Sequence, residues 1–209
     1  FEAVQFRRAV PVTEAQAGLA HDPDYVRRLR EGLLREDEIK RIGLPQNKSV
    51  AARAFASGGG STLACRRALH TGWAASLAGG SHHANREGGR GFCVMNDVGL
   101  ALSSLLEEGV LESAVVVDLD VHQGDGTAEI FEHDNRVFTP VSTVRPTIPL
   151  RRRPPISMWG WRRRRGTAAT FRPWIACWAS LKARRSRLTC WSSTLAWTRM
   201  KTTVWAGSP

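Results

Sequence analysis

Residues 113–120, Ser-Ala-Val-Val-Val-Asp-Leu-Asp, admit few folds. A run of β-branched apolar residues that ends in acids suits a parallel strand buried on both faces, which helices must then cover. Just before it, Met95 to Glu108 carries Val98, Leu102, Leu105 and Leu106 on one helical stripe, with Gly109 as its stop. Earlier still, Trp73 to Ala78 reads as a short buried strand running into Gly79 and Gly80. Strand, helix, strand predicts an α/β architecture with a parallel sheet. In such open sheets the chemistry gathers beyond the carboxyl ends of the strands.

Other segments fit that frame. Tyr25, Val26, Leu29, Leu33 and Leu34 fall at helical spacing, so a packing helix is expected to begin near Asp22 or Pro23. Ser49 to His70 predicts a second helix whose middle is weakened by Gly58, Gly59 and Gly60. Thr127 to Glu132 reads as a short helix and Arg136 to Thr139 as the next strand. No apolar run is long enough to cross a bilayer, and the opening residues lack a signal-peptide pattern. A cytoplasmic protein with no membrane partner is expected. Its four cysteines, Cys65, Cys93, Cys177 and Cys190, are expected to be reduced thiols. A chain opening on Phe1 is expected to lack its first residues.

Two polar clusters sit at the predicted strand ends. GGSHHA, Gly79 to Ala84, sets two adjacent histidines in a glycine-rich turn, a pattern suited to proton transfer or metal binding, though a surface or satisfied core histidine is the commoner case. DLDVHQGDG, Asp118 to Gly126, follows the apolar strand. Alternation puts Asp118, Asp120 and His122 on one side of an extended backbone, where carboxylate and imidazole can converge on one ion. Zinc takes this oxygen and nitrogen set, whereas a solvated acidic turn would be the plain alternative.

Taken together, GGSHHANREGGRGFCVMNDVGLA, VVVDLDVHQGDGTAEIF and RVFT resemble the histone deacetylase superfamily, nearest its bacterial and class IV members, over roughly Pro23 to Thr139. The resemblance implies an α/β, arginase/deacetylase-like three-layer fold with a parallel sheet, here truncated, and removal of an acyl group from an amine such as acetyl-lysine. By motif position, Asp120 and His122 would ligate zinc. His82 and His83 would be the tandem pair on the metal-bound water, backed by Asp118 and Asp125. Phe92, with Gly91 beside it, would line the channel for the acylated lysine or amine. The family also binds a monovalent cation (K+) near the zinc, with Asp118 and Asp120 as the matching side chains.

The chain departs from that pattern at residue 140. Residues 1–139 hold all 19 acids and 15 of the 30 lysines and arginines, whereas 140–209 hold 15 bases, no acid, no histidine and seven of the eight tryptophans. The family's third zinc ligand, an aspartate well downstream of the Asp-x-His, therefore has no counterpart. Its late tyrosine has none either, since Tyr25 is the only tyrosine. As translated, the chain is expected to be inactive.

The tail reads as translation in a shifted frame. Codons built from the third base of one residue and the first two of the next are forced at some junctions, because tryptophan and methionine have single codons. Met158–Trp159 and Trp159–Gly160 must give Val and Gly; Trp197–Thr198 must give Asp, Met200–Lys201 Glu and Trp205–Ala206 Gly. Intervening junctions permit D-P-H-E-D-D-R-L-G, the family's third-ligand motif. Residues 1–139 are thus read as the N-terminal part of the catalytic domain and 140–209 as an out-of-frame segment without a domain of its own.

Three other readings compete with this one. Arg151 to Pro155, Trp161 to Gly166 and Lys182 to Arg187 resemble a nucleic-acid-binding module with phosphate contacts and stacking platforms, and the chain's net charge is +11. A shifted frame accounts for those residues without a nucleic-acid partner. An arginase-type two-metal hydrolase would carry D-x-H-x-D, but position 124 is Gly. A non-catalytic deacetylase-like protein remains as the alternative for the chain as translated.

Overall fold

The computed structural model describes residues 5–118, 120, 122–139, 187–193 and 202–208, the last two segments as backbone strands. Its elements are α1 (Glu14–Ala17), α2 (Pro23–Glu31), α3 (Glu36–Ile42), α4 (Lys48–Thr71), β1 (Trp73–Ser76), α5 (Asp97–Glu107), β2 (Ser113–Asp118), α6 (Asp125–Ile130), β3 (Val137–Phe138), β4 (Arg187–Ser193) and β5 (Thr202–Ser208).

Helix boundaries follow local chemistry. Asp22 caps α2 by accepting the Asp24 N–H, Pro23 opens it, and Gly32 ends it at φ 77°. Asn47 and Asn96 cap α4 and α5 in the same way, accepting from Val50 and Gly99. Val98, Leu102, Leu105 and Leu106 are all buried, and with Tyr25, Phe55 and Leu100 they centre the core.

The three glycines do not interrupt α4. A Cβ at Gly59 would stand 1.9 Å from the Val10 carbonyl oxygen, one at Gly58 2.8 Å from Leu100 Cδ1, and one at Gly60 3.1 Å from Ser76 Oγ. The N-terminal arm, α5 and β1 all approach the helix there, and the Val12 N–H donates to the Phe55 carbonyl at 3.1 Å. Close packing offsets the roughly 1 kcal/mol that each helical glycine costs.

The sheet order is β1-β4-β5-β2-β3. β1 pairs parallel with β4 and β2 parallel with β3, while β5 lies antiparallel between β4 and β2. All strands but β5 therefore run one way. The register links Ser76 to Ser193, Ser193 to Thr202 and Thr202 to Asp118, so the carboxyl ends of β1, β4 and β2 share one edge.

Some sequence expectations are corrected. β1 is shorter than Trp73 to Ala78 and is not buried throughout: Trp73 is 67% and Leu77 62% exposed, because only Ser76 and Ala74 turn toward other elements. β2 is buried on the face of Ala114, Val116 and Asp118 and half-buried on that of Val115 and Val117. Regular structure was not expected after residue 139, yet Arg187–Ser193 and Thr202–Ser208 form strands; their Thr, Val, Trp and Leu content favours extended backbone whatever the reading frame. Residues 140–186 and 194–201 lie outside the described residues.

Candidate active site

After β1 the chain turns sharply through Gly79 (φ 128°) and Gly80 (φ 81°), conformations that suit glycine, before presenting His82 and His83. Opposite, β2 ends at Asp118 and the chain continues through Asp120, His122 and Asp125 into α6. The two clusters meet. His82 Nδ1 lies 2.6 Å from Asp118 Oδ2, and His83 Nδ1 lies 2.8 Å from Asp125 Oδ1. Both rings are buried, with centroids 4.2 Å apart. Each Nδ1 facing a carboxylate fixes the tautomer that leaves Nε2 as the exchangeable nitrogen.

Glycines make this approach possible. A Cβ at Gly124 would fall 2.2 Å from Asp118 Oδ2, and one at Gly126 would fall 2.3 Å from the Ala84 and 2.4 Å from the His83 carbonyl oxygen. Position 124 therefore has no room for the carboxylate that an arginase-type two-metal site would place there. The Thr127 N–H donates to the His82 carbonyl at 3.1 Å, and Arg90 Nε donates to that of His83 at 2.7 Å. The same guanidinium pairs with Glu129 at 2.9 Å and Asp125 at 3.3 Å.

Burial disfavours the charged form of His82. Its bond to Asp118, with the charges of Asp118, Asp120 and Asp125, outweighs that penalty, so its pKa ends above the ordinary value. Asp120 accepts the His122 N–H at 2.7 Å, and its Oδ1 lies 3.0 Å from His122 Nδ1. The His83 and His122 ring centroids are 6.0 Å apart, so the proposed ligands and the histidine pair share one locality.

Phe92 is 72% exposed and has φ 64°, a strained value for a side chain of its size. Its N–H and that of Gly91 donate to the Ile42 and Arg41 carbonyls at 2.7 and 2.9 Å, so the end of α3 holds the segment. Gly43 sits beneath the ring, where a Cβ would be 3.0 Å away.

Sequence reasoning missed several supporting groups. His21 donates from Nδ1 to the Asn85 carbonyl at 2.6 Å and accepts the Asn96 N–H at Nε2 at 2.9 Å. Asn96 Nδ2 reaches the Ala84 carbonyl and Thr127 Oγ1. Asn96 fell inside the helix expected from Met95, and nothing local signalled the second set of bonds. Tyr25 is fully buried and donates to the Val94 carbonyl at 2.7 Å, so the only tyrosine belongs to the core.

Strand-end placement, two imidazole–carboxylate pairs and an adjoining carboxylate and imidazole define a class: α/β proteins with the arginase/deacetylase-like fold. The chain belongs to the histone deacetylase family, whose domain matches residues 1–145. It is 45% identical over 121 residues to an uncharacterised protein of Picosynechococcus sp., covering 58% of this chain and 40% of that one. It is 32% identical over 140 residues to the acetoin utilization protein AcuC of Staphylococcus aureus, covering 61% and 35%. The solved structure of an HDAC homologue from Aquifex aeolicus matches with a TM-score of 0.56 at 25% identity, covering 63% of this chain and 37% of that one. The chain thus spans well under half the length of these relatives.

Proposed function

We propose that residues 1–139 carry the proton-transfer part of a zinc-dependent hydrolase that removes an acetyl or other acyl group from an amine such as acetyl-lysine. The observation behind this reading is the pair of buried imidazoles 4.2 Å apart, each backed by its own carboxylate, beside Asp120 and His122. A neutral imidazole can take a proton from attacking water and return one to the leaving amine. Asp118 and Asp125 hold the two rings in the tautomer for that exchange. Phe92 and Gly91 would border the acylated side chain.

Asp120 and His122 suit zinc in donor type but not in number, because a catalytic zinc site takes three protein ligands. Among the described residues no group of three or more His, Cys, Asp or Glu is placed to hold a metal. Zinc, when bound, supplies carbonyl polarisation and an acidified water. The chain as translated lacks the third donor and is inactive in this reading, which also favours its being a non-catalytic relative.

The frame shift near Thr139 or Pro140 belongs to the same proposal. β4 ends at Ser193 on the edge shared with Asp118, and the Trp197–Thr198 junction, where the other frame must encode Asp, follows shortly after. A restored aspartate there would supply the third donor that Asp120 and His122 lack. The test is to repair the frame and to extend the chain at both ends, then measure zinc content and turnover on an acetyl-lysine peptide. Repair alone is expected to tighten zinc binding, and turnover to need the extension too. In the complete enzyme His83→Ala should abolish turnover with zinc retained, whereas Asp120→Ala should lower zinc occupancy. Near-normal activity in the first or full zinc in the second would refute these roles.

A further inference from the structure

Asp97, the first residue of α5, is 1% exposed. Carboxylates this buried are normally paired with a cation. Glu38, 2% exposed, is paired with Arg28 and Arg35. Asp97 makes no ion pair among the described residues. Instead its Oδ2 accepts from Ser61 Oγ of α4 at 2.5 Å and its Oδ1 from the Ser81 N–H at 2.8 Å, and the Gly80 N–H is directed to it as well. Two of these donors lie in the turn immediately before His82.

The turn is shaped to admit the carboxylate. A Cβ at Gly79 would sit 2.2 Å from Asp97 Oδ2. From the neighbouring position Asn96 Nδ2 holds the Ala84 carbonyl at 3.0 Å, just past His83. The start of α5 therefore grips the histidine turn at both ends. Burial pushes the Asp97 carboxyl upward while these hydrogen bonds oppose it, so its ionised form depends on the donors it organises.

We propose that Asp97 is a positioning residue: its buried carboxylate gathers the Gly80 and Ser81 amides and thereby sets His82 and His83 against Asp118 and Asp125. This rests on His82 and His83 being the acid–base pair. A plain structural role would stabilise α4 and α5 without governing the imidazoles. Asp97→Asn keeps the volume but puts an amide N–H against one of the donors.

The experiment compares the full chain with Asp97→Asn and Ser61→Ala by amide hydrogen exchange and by NMR of the labelled imidazoles. In Asp97→Asn, exchange at Ser81 should accelerate about tenfold or more, the scale expected for loss of one bond to a charged acceptor. The Nδ1 proton signal of His82 should weaken or shift, with Leu102 and Leu105 amides still protected. Ser61→Ala, which leaves the carboxylate, should accelerate Ser81 less and retain both imidazole signals. Unchanged Ser81 exchange, or equal acceleration throughout α5, would overturn the proposal. Should Asp97→Asn fail to fold, Ser61→Ala decides: no selective acceleration at Ser81 overturns it. Neither readout involves zinc or turnover, so its failure is separate from failure of the deacetylase reading.

Discussion

His21 should make this fold acid-sensitive in a way that can be isolated. The imidazole is fully buried, with Nδ1–H committed to the Asn85 carbonyl and the Nε2 lone pair to the Asn96 N–H. Adding a proton to Nε2 would set donor against donor. Burial chiefly, opposed by the Asn85 bond and assisted by Arg86, lowers its pKa from 6.5 to about 4. Between those values the unfolded chain binds a proton that the folded chain refuses, so stability rises with pH. The contribution is present above about 6.5 and is lost as pH falls toward about 4. At about 1.4 kcal/mol per pH unit the loss is ~3 kcal/mol. Urea unfolding of the wild type and of His21→Gln, from near neutrality to near pH 4, gives the assay. Subtracting the two curves cancels the other titrating groups, including His82, whose raised pKa has the opposite sign: its contribution is lost as pH rises through the folded value. The difference should shrink by roughly 3 kcal/mol on acidification. A constant difference would refute the account of His21 as a neutral, doubly bonded imidazole.

Gly126→Ala should cost about 3 kcal/mol or more, at the upper end of overpacking penalties, because the new Cβ meets backbone atoms of His83 and Ala84 that cannot swing aside; unfolding midpoints would show it, and a neutral result would refute the packing. Glu38→Gln should cost about 2 kcal/mol by removing the buried carboxylate partner of Arg28, which is then left with the exposed Asp24 alone. Hydrogen bonding to Arg28 chiefly holds the Glu38 carboxyl below its ordinary range, so the gap between wild type and variant is present above that range. It should close as pH falls through the depressed value, and unfolding at acid pH checks it.

Much of the fold was legible because periodicity and capping are local. Val98, Leu102, Leu105 and Leu106 fix the inner face of α5 and Gly109 marks its end, with no knowledge of what packs there, although the expected start at Met95 fell two residues before the observed one. The tandem histidines and the Asp-x-His were readable as chemistry because their residue types and spacing are unusual. The glycines of α4 were not. Propensity marks them as breaks, and only the approach of Val10, Leu100 and Ser76 shows why side chains are absent. β4 and β5 escaped notice because the tail's composition pointed to a shifted frame, whereas strand formation followed from β-favouring residues finding partners in β1 and β2.

By itself, then, the sequence determined α2, α4, α5 and α6, the principal strands and the two polar clusters, since each depends on neighbours within a few residues along the chain, whereas the short helices α1 and α3 were not read from it. The tertiary structure brings His82 to Asp118 across a sequence separation of 36 residues and His83 to Asp125 across 42, contacts that the family resemblance implied but the residues' own pattern did not. It also turned Asp97, Asn96 and His21 from ordinary core or capping residues into supports of the histidine turn. Those pairings depend on where strand ends fall against one another and on glycines that leave room between backbones, distances that local sequence does not encode.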